Sequence, residues 1–373
     1  MSRISGRLRI FARALPRFVS KRLNLLIGRR QRPRQVSRIL IVHHLLLGDT
    51  LMLTALLAAL RARYSASEII MTCPQAIVPL YTNKPYGVEV IAFNPHEAQT
   101  VKNVLISGPF DLGIVPGDNR HTWLALAADC LWIIAHAEDI PGWKNWPVDE
   151  LIPFPSYPIS WCDMVAQLAG ADGSLRYCPE DWRAPDAKAF YLPTRPYVVL
   201  HLGASTPLKY WPSSRWEALA KWLEAQGYQP IWSAGIDQSA LILDSDPENR
   251  YLNYSNQLDL AQLWQLLLGA AALVCPDTGV AHLGRLTNTP TLVLFGPGSK
   301  QVSGAGLFWQ DSPFVALSEP DIACRDQKFL FRRHREWIRR CGRSMRECNQ
   351  PLCMEALNNQ CVETALTALL KRV

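Results

Sequence analysis

The stretch that decides the fold runs from Ala272 to Gly298: ALVCPDTGVAHLGRLTNTPTLVLFGPG. It opens with an apolar run, ALVCPD, and closes with another, PTLVLFG. Between them GVAHLGRLTN has helical spacing. Strand, helix and strand in so few residues make a parallel crossover unit, with its sheet covered on both faces. Asp277, Thr278 and Gly279 stand where the first strand turns into the helix, and His282 follows one turn on.

Working outward, the same alternation fills the second half of the chain. YVVLHLG (197–203) and QPIWSAG read as strands, and DLAQLWQLLLGA as an amphipathic helix. SSRWEALAKWLEAQG reads as a helix with Ser213 or Ser214 as N-cap and Gly227 closing it. The first half carries its own set: RILIVH (38–43), EIIMTC, VEVIAF and FDLGIVP as strands, with LMLTALLAALRARY as a helix. HTWLALAADCLWIIAHA is expected to be helical throughout. A Pro-rich section, YCPEDWRAPDAKAFYLPTRP (177–196), separates the halves. The chain of 373 residues therefore divides into an arm (1–35), an α/β domain (36–180), a linker (181–196), a second α/β domain (197–320) and a tail (321–373). With 49% hydrophobic residues the composition is globular, and the 13 tryptophans exceed what a core needs, leaving some to line an apolar or sugar-binding cleft.

The formal charge of +7 is unevenly placed: twelve Lys/Arg and no acid fall in residues 1–38, which leaves −5 for the rest. A mildly acidic body argues against nucleic acid as partner, and the basic arm is a local electrostatic device. In the arm Ile10, Phe11, Ala14, Leu15, Phe18, Leu25 and Leu26 alternate with arginines. A basic amphipathic helix of this kind can lie on anionic lipid; the plainer alternative is a disordered tail. The arm lacks the long apolar run and cleavage site of a signal peptide, and no run of about 20 apolar residues occurs to span a bilayer. The expectation is a soluble or peripheral protein on the cytosolic side, with reduced cysteines.

Ligands of open α/β sheets sit beyond the carboxyl ends of the strands, and the suspicious loops all lie there. The loop at Asp277–Gly279 offers free amides at a helix N-terminus, which with the helix dipole attract phosphate; an ordinary capped helix is the alternative. HLGASTPLKYWP (201–212) offers Ser205, Thr206 and the ammonium of Lys209, which can neutralise a leaving diphosphate or be a surface lysine. Asp49, in HHLLLGDTLM, is either a helix cap or a general base whose carboxyl is raised by a closed cleft. Asp237 can accept from a ribose hydroxyl or simply begin the helix at 237–243. Asp244 and Asp246 are read as solvated acids at a helix end, not as a metal motif.

Together, Gly48-Asp49, GAS with Lys209-x-Trp211-Pro212, and Asp277-Thr278-Gly279 with His282 and FGP resemble glycosyltransferase family 9, the ADP-heptose:lipopolysaccharide heptosyltransferases, over roughly residues 36–320. The resemblance implies a GT-B fold: two facing Rossmann-like, doubly wound domains about a deep cleft. It implies inverting, metal-independent transfer of heptose from ADP-heptose to a lipopolysaccharide core or related lipid-linked acceptor, at the inner face of the cytoplasmic membrane. Asp49 then resembles the base and Lys209 the holder of the leaving phosphate. Ser205, Thr206, Thr278 and Gly279 assist at the diphosphate, with Asp277 and Asp237 toward the sugar or ribose. Arg120 and His121, in PGDNRH, can bind anionic groups of the acceptor or be ordinary surface residues. Alternatives are another nucleotide-sugar donor or acceptor on the same fold, an epimerase, or a non-catalytic nucleotide-sugar-binding protein on the membrane.

The tail places Cys324, Cys341, Cys348 and Cys353 among the arginines Arg332, Arg333, Arg335, Arg339, Arg340, Arg343 and Arg346. Four thiolates can hold a structural zinc or iron, although the spacing is looser than paired C-x-x-C; packing thiols or disulfides are the alternatives. The arginines form a second basic face for lipid phosphates or an acidic saccharide. By the resemblance, the final helix, VETALTALLKRV, is expected to cross back onto the N-terminal domain.

Overall fold

The computed structural model describes residues 3–371, with side chains from residue 6 onward in the N-terminal helix. Positions 1–2 of the arm and 372–373 of the tail lie outside them. The chain begins with α1 (Arg3–Leu26) and then builds a parallel sheet from β1 (Arg38–Ile41), β2 (Glu68–Cys73), β3 (Val88–Ala92), β4 (Phe110–Val115), β5 (Cys130–His136) and β6 (Glu150–Ile152). Its helices are α2 (Leu47–Leu51), α3 (Thr54–Arg63), α4 (Ala98–Ile106), α5 (Thr122–Ala127) and α6 (Trp161–Ala166). The second sheet comprises β7 (Tyr197–His201), β8 (Gln229–Ser233), β9 (Leu252–Asn253), β10 (Ala272–Pro276), β11 (Thr291–Leu294) and β12 (Phe314–Leu317). With it run α7 (Ser213–Ala225), α8 (Ser239–Ser245), α9 (Leu260–Leu268), α10 (Gly279–Leu286) and α11 (Lys300–Ser303). The tail adds a hairpin of β13 (Phe329–Leu330) and β14 (Arg333–His334), then α12 (Leu352–Glu355) and α13 (Asn359–Leu370).

The first sheet is ordered β3-β2-β1-β4-β5-β6 and the second β9-β8-β7-β10-β11-β12. Numbered within each half, both are 3-2-1-4-5-6, the dinucleotide-fold order whose crevice lies where the order reverses, between the first and fourth strands. Strands buried on both faces read as unbroken apolar runs. Ile39 and Ile41 of β1 join the core between the domains, while Leu40 and Val42 join an outer core with α1, α4 and α5. β10 alternates in the same way: Leu273 and Cys275 face the shared core, Ala272 and Val274 the outer one. One continuous core thus joins the two sheets. Asp163 of α6 strengthens the junction by accepting from the amides of Leu307 at 2.6 Å and Phe308 at 3.0 Å.

Several expectations are corrected. HTWLALAADCLWIIAHA is helical only to Ala127; Asp129 turns the chain at φ 63°, and Cys130–His136 form β5. A strand buried on both faces lacks the alternation that would distinguish it from a buried helix. α7 starts after Pro212, without a side-chain cap from either serine. α8 begins at Ser239, not at Asp237. Asp246 is buried, accepting from Trp232 Nε1 at 2.9 Å and from the amides of Arg250 and Tyr251 at 3.0 Å each, so it anchors a turn and is not a solvated acid. The last helix does not cross to the N-terminal domain: Val362, Leu366 and Leu369 of α13 fill the outer core of the second sheet. The segment that crosses is the β13–β14 hairpin. Arg333, fully buried, donates to the carbonyls of Ala137, Gly117 and His136, and Arg335 to those of Phe154 and Pro155.

Candidate active site

The reversal points of both sheets open onto one cavity of about 680 Å³. From the first sheet come Gly48 and Asp49 after β1; from the second come Ser205, Thr206 and Lys209 after β7, and Asp277, Thr278, Gly279 and His282 after β10. α2 and α10 meet at their first turns. A β-carbon on Gly48 would lie 2.9 Å from His282 Cδ2, and one on Gly279 2.9 Å from the Leu47 side chain. Separations below 3 Å are closer than side chains tolerate, so glycine at both positions lets the two domains approach.

Asp49 sits in the first turn of α2, whose N-cap Leu46 provides no side-chain cap. Its carboxylate has no hydrogen-bond partner among the described residues, so the reading of Asp49 as a structural cap does not apply. Burial pushes its carboxyl up to about 6. The nearby Asp277 adds to this, while Lys209 and Arg340 hold it down.

Across the cavity, Lys209 Nζ donates to the Asp277 carbonyl at 2.7 Å and to its carboxylate at 2.9 Å. The lysine is thereby fixed beside the start of α10. Thr278 is the N-cap of that helix with its side chain uncommitted, and the first amides of the helix have no intrahelical acceptor. His282 is buried and held well below the usual imidazole range by burial and by Arg285. Arg285 can only donate, so its 3.3 Å contact with His282 Nδ1 makes that nitrogen the acceptor and leaves the proton on Nε2. That N–H faces the Gly48 side of the cavity. Ammonium, free amides and an imidazole N–H are the donor set a diphosphate requires.

Two arginines of the tail reach the cavity. Arg340 and Arg343 line it, although sequence assigned these arginines to a face for lipid or saccharide. The Cys341 amide bonds to the Pro297 carbonyl at 2.8 Å, tying the tail to the FGPGS loop. No local signal in the sequence announces this return. Asp237 is exposed at φ 62° and does not line the cavity.

Arg120 and His121 line a second, larger cavity of about 1020 Å³ on the N-terminal domain, with His44, Phe93 and the inner side of α1. Arg120 is paired with Asp118 at 2.7 Å, and burial lowers His121 to about 4. Phe331 and Leu45–Leu46 separate the two cavities, and Phe331 lines both. Cys324, Cys341, Cys348 and Cys353 gather in one neighbourhood: burial raises the Cys324 thiol, with Cys341 and Cys348 adding to it, and burial together with the other three thiols raises Cys353. All ten cysteines are free, and among the described residues no three His, Cys, Asp or Glu side chains stand at metal-ligand spacing. Cys353 is buried beside Met354, and Cys348 Sγ bonds to the Gln350 carbonyl at 3.5 Å.

Residues 153–327 match the model of glycosyltransferase family 9 (heptosyltransferase). Lipopolysaccharide heptosyltransferase 1 of Pseudomonas aeruginosa is 33% identical over 181 residues, which are 48% of this chain and 49% of that one. The chain thus spans about half the length of this curated relative. The crystal structure of a family 9 glycosyl transferase from Veillonella parvula superposes with a TM-score of 0.71 at 15% identity, over 91% of this chain and 99% of that one. The Escherichia coli heptosyltransferase WaaC, solved with ADP-2-deoxy-2-fluoro heptose, gives 0.63 at 14% identity over 89% and 99%. The chain is therefore similar to glycosyltransferase family 9 in sequence over residues 153–327, and in fold to a solved structure of that family over both domains.

Proposed function

We propose that the protein transfers heptose from ADP-heptose to a lipid-linked, lipopolysaccharide-type saccharide, with inversion at the anomeric carbon. The observation that carries this reading is the juxtaposition in one cavity of an unpartnered, raised carboxylate, Asp49, with the Lys209–Asp277 pair and the start of α10. Asp49 takes the proton of an acceptor hydroxyl as its oxygen attacks the anomeric carbon. The bond to the diphosphate breaks on the opposite side, and its electron pair leaves on the phosphate oxygen. Lys209, the α10 amides, His282 Nε2–H and Arg340 neutralise that charge, so no metal is needed for the step. Thr206 and Ser205 lie on the same rim; Asp277 holds Lys209 in position. A named heptosyltransferase among the relatives and a WaaC structure with a heptose nucleotide support the choice of donor.

The same reading places the protein on the cytosolic face of a membrane. No described helix is long and apolar enough to cross one. Leu8, Phe11, Leu15, Val19 and Leu23 of α1 are exposed along one stripe, beside exposed Trp143 and Trp146. Only part of the basic arm is available to lipid. Arg13 and Arg17 pair with Asp129, Lys21 and Arg30 with Asp149, and Arg32 with Glu150. Arg7, Arg9, Arg22 and Arg29 remain exposed with no ion pair among the described residues. The test is mass spectrometry of products after incubation with ADP-heptose and truncated lipopolysaccharides: one heptose added to one acceptor is expected. Hydrolysis without transfer, or no use of the donor, would refute the reading.

A further inference from the structure

The second cavity is larger than the donor cleft and different in kind. Its outer wall is α1, through Ile10, Phe11, Leu15 and Phe18; its opposite wall carries Trp123, Trp143 and Trp146. Phe18 bridges the walls, with ring centroids 5.3 Å from Trp123 and 6.3 Å from Trp146. Apolar surface dominates along this length. Its polar lining includes the guanidiniums of Arg7, Arg120 and Arg332, while burial holds the imidazoles of His44 and His121 below their usual range. The acid among them, Asp118, is already paired with Arg120 at 2.7 Å and with Lys144 at 2.9 Å, which together hold its carboxyl down to about 2 despite its partial burial. A groove that is aromatic along its walls and carries the guanidiniums of Arg7 and Arg332, neither paired with an acid among the described residues, complements an anionic amphiphile. Two further observations fix its orientation. Phe11 and Leu15 of the wall belong to the exposed stripe of α1, so the groove opens beside the surface read as lipid-facing. At the other end it adjoins the donor cleft across Phe331, which rests on Trp161 with centroids 4.4 Å apart.

We infer that the groove between α1 and the Trp143–Trp146 turn holds a hydrocarbon chain of an anionic, acylated acceptor, drawing one chain out of the bilayer while its head points toward Phe331 and the donor cleft. This rests on the transferase reading for the identity of the amphiphile, but not for the existence of the chain site. α1 is then a wall of a binding site as well as a surface anchor. A groove for a chain gives the enzyme a reason to prefer acylated acceptors over the same saccharide without its chains, because apolar area is removed from water only in the former.

The test uses the full-length protein and a spin-labelled probe, a single-chain lysophosphatidate with a nitroxide on its acyl chain, kept below its micelle concentration. Immobilisation of the nitroxide is read by electron paramagnetic resonance, which requires no sugar transfer. The wild type is expected to immobilise the probe. Phe11→Ser and Trp146→Ala, at positions more than half exposed (55% and 53%) and thus removing little core, are expected to weaken its binding by about tenfold or more, the effect of losing a buried aromatic contact. Glycerol 3-phosphate, which has the anion and no chain, is expected not to displace it. Failure to immobilise the probe, equal binding by wild type and both variants, or full displacement by glycerol 3-phosphate would each overturn the chain site. If the probe binds as expected while no heptose is transferred, the transferase reading fails and the chain site stands.

Discussion

The two halves of the molecule have the same strand order and open their reversal points onto the same cavity, yet they present opposite chemistry. The second half offers positive and hydrogen-donating groups: Lys209, His282 Nε2–H and the first amides of α10. The first half offers a lone carboxylate on a five-residue helix, backed by a groove of aromatic and imidazole side chains. The fold therefore determines where chemistry happens, and the few residues after the first and fourth strands of each half determine what it is. In the proposed transfer, leaving-group charge is received on one side and a proton is removed on the other.

The comparison breaks most severely at Asp49. Asp49→Ala is expected to lower turnover by roughly 10²–10⁴-fold, the scale of general-base catalysis, while nucleotide-sugar affinity by calorimetry stays within a few fold. Lys209→Ala tests the opposite side. Turnover should fall by about 10²–10³, and donor affinity should fall with it, since the lysine serves both ground and transition states. Equal donor affinity in that variant would remove Lys209 from the cradle. Gly279→Ala should slow transfer through geometry alone, because its β-carbon meets Leu47 at 2.9 Å and forces the domains apart; small-angle scattering and donor affinity would register the change.

The pH dependence sharpens the asymmetry. A base pushed up to about 6 loses its proton only above that value, so kcat/KM should fall as pH drops through about 6. Stability should run the other way. A carboxyl whose folded value lies above its ordinary 3.8 disfavours the folded state at neutral pH, and that penalty disappears as pH falls below about 4. Asp49→Asn is accordingly expected to be inactive but more stable at pH 7.5 by about 1–2 kcal/mol, after allowance for the partial exposure of the group. The gain should shrink through pH 6 and vanish near pH 4, as read by chemical denaturation. The smallest effect is expected from Arg340→Gln: losing a cation that lowers the Asp49 carboxyl should move the acidic limb of the rate profile upward.

Much of this was legible in the sequence where the information is local. Apolar runs, the glycines beside Asp49 and Thr278, and the loops at strand ends identify the doubly wound halves and place Asp49, Lys209 and Asp277 at their mouths. What was not legible depends on long-range pairing. Cys130–His136 reads as helix because burial on both faces erases the strand period. The arginines of the arm look lipid-bound, but several neutralise Asp129, Asp149 and Glu150 over a hundred residues away. The same limit hid the hairpin that brings Arg333 to the N-terminal domain, and the turn that brings Arg340 into the cleft. Asp237 stands outside the cavity lining because its loop follows a strand at the outer side of the reversal point: β8 lies next to β7, away from β10.

The most direct test of the central claim is a crystal structure of the protein with a non-transferable ADP-sugar. The pyrophosphate is expected on the amides at the start of α10 and on Lys209 Nζ, with the anomeric carbon between it and the Asp49 carboxylate. A nucleotide seated away from residues 205–209 and 277–279, or an Asp49 carboxylate turned out of the cavity, would contradict that claim.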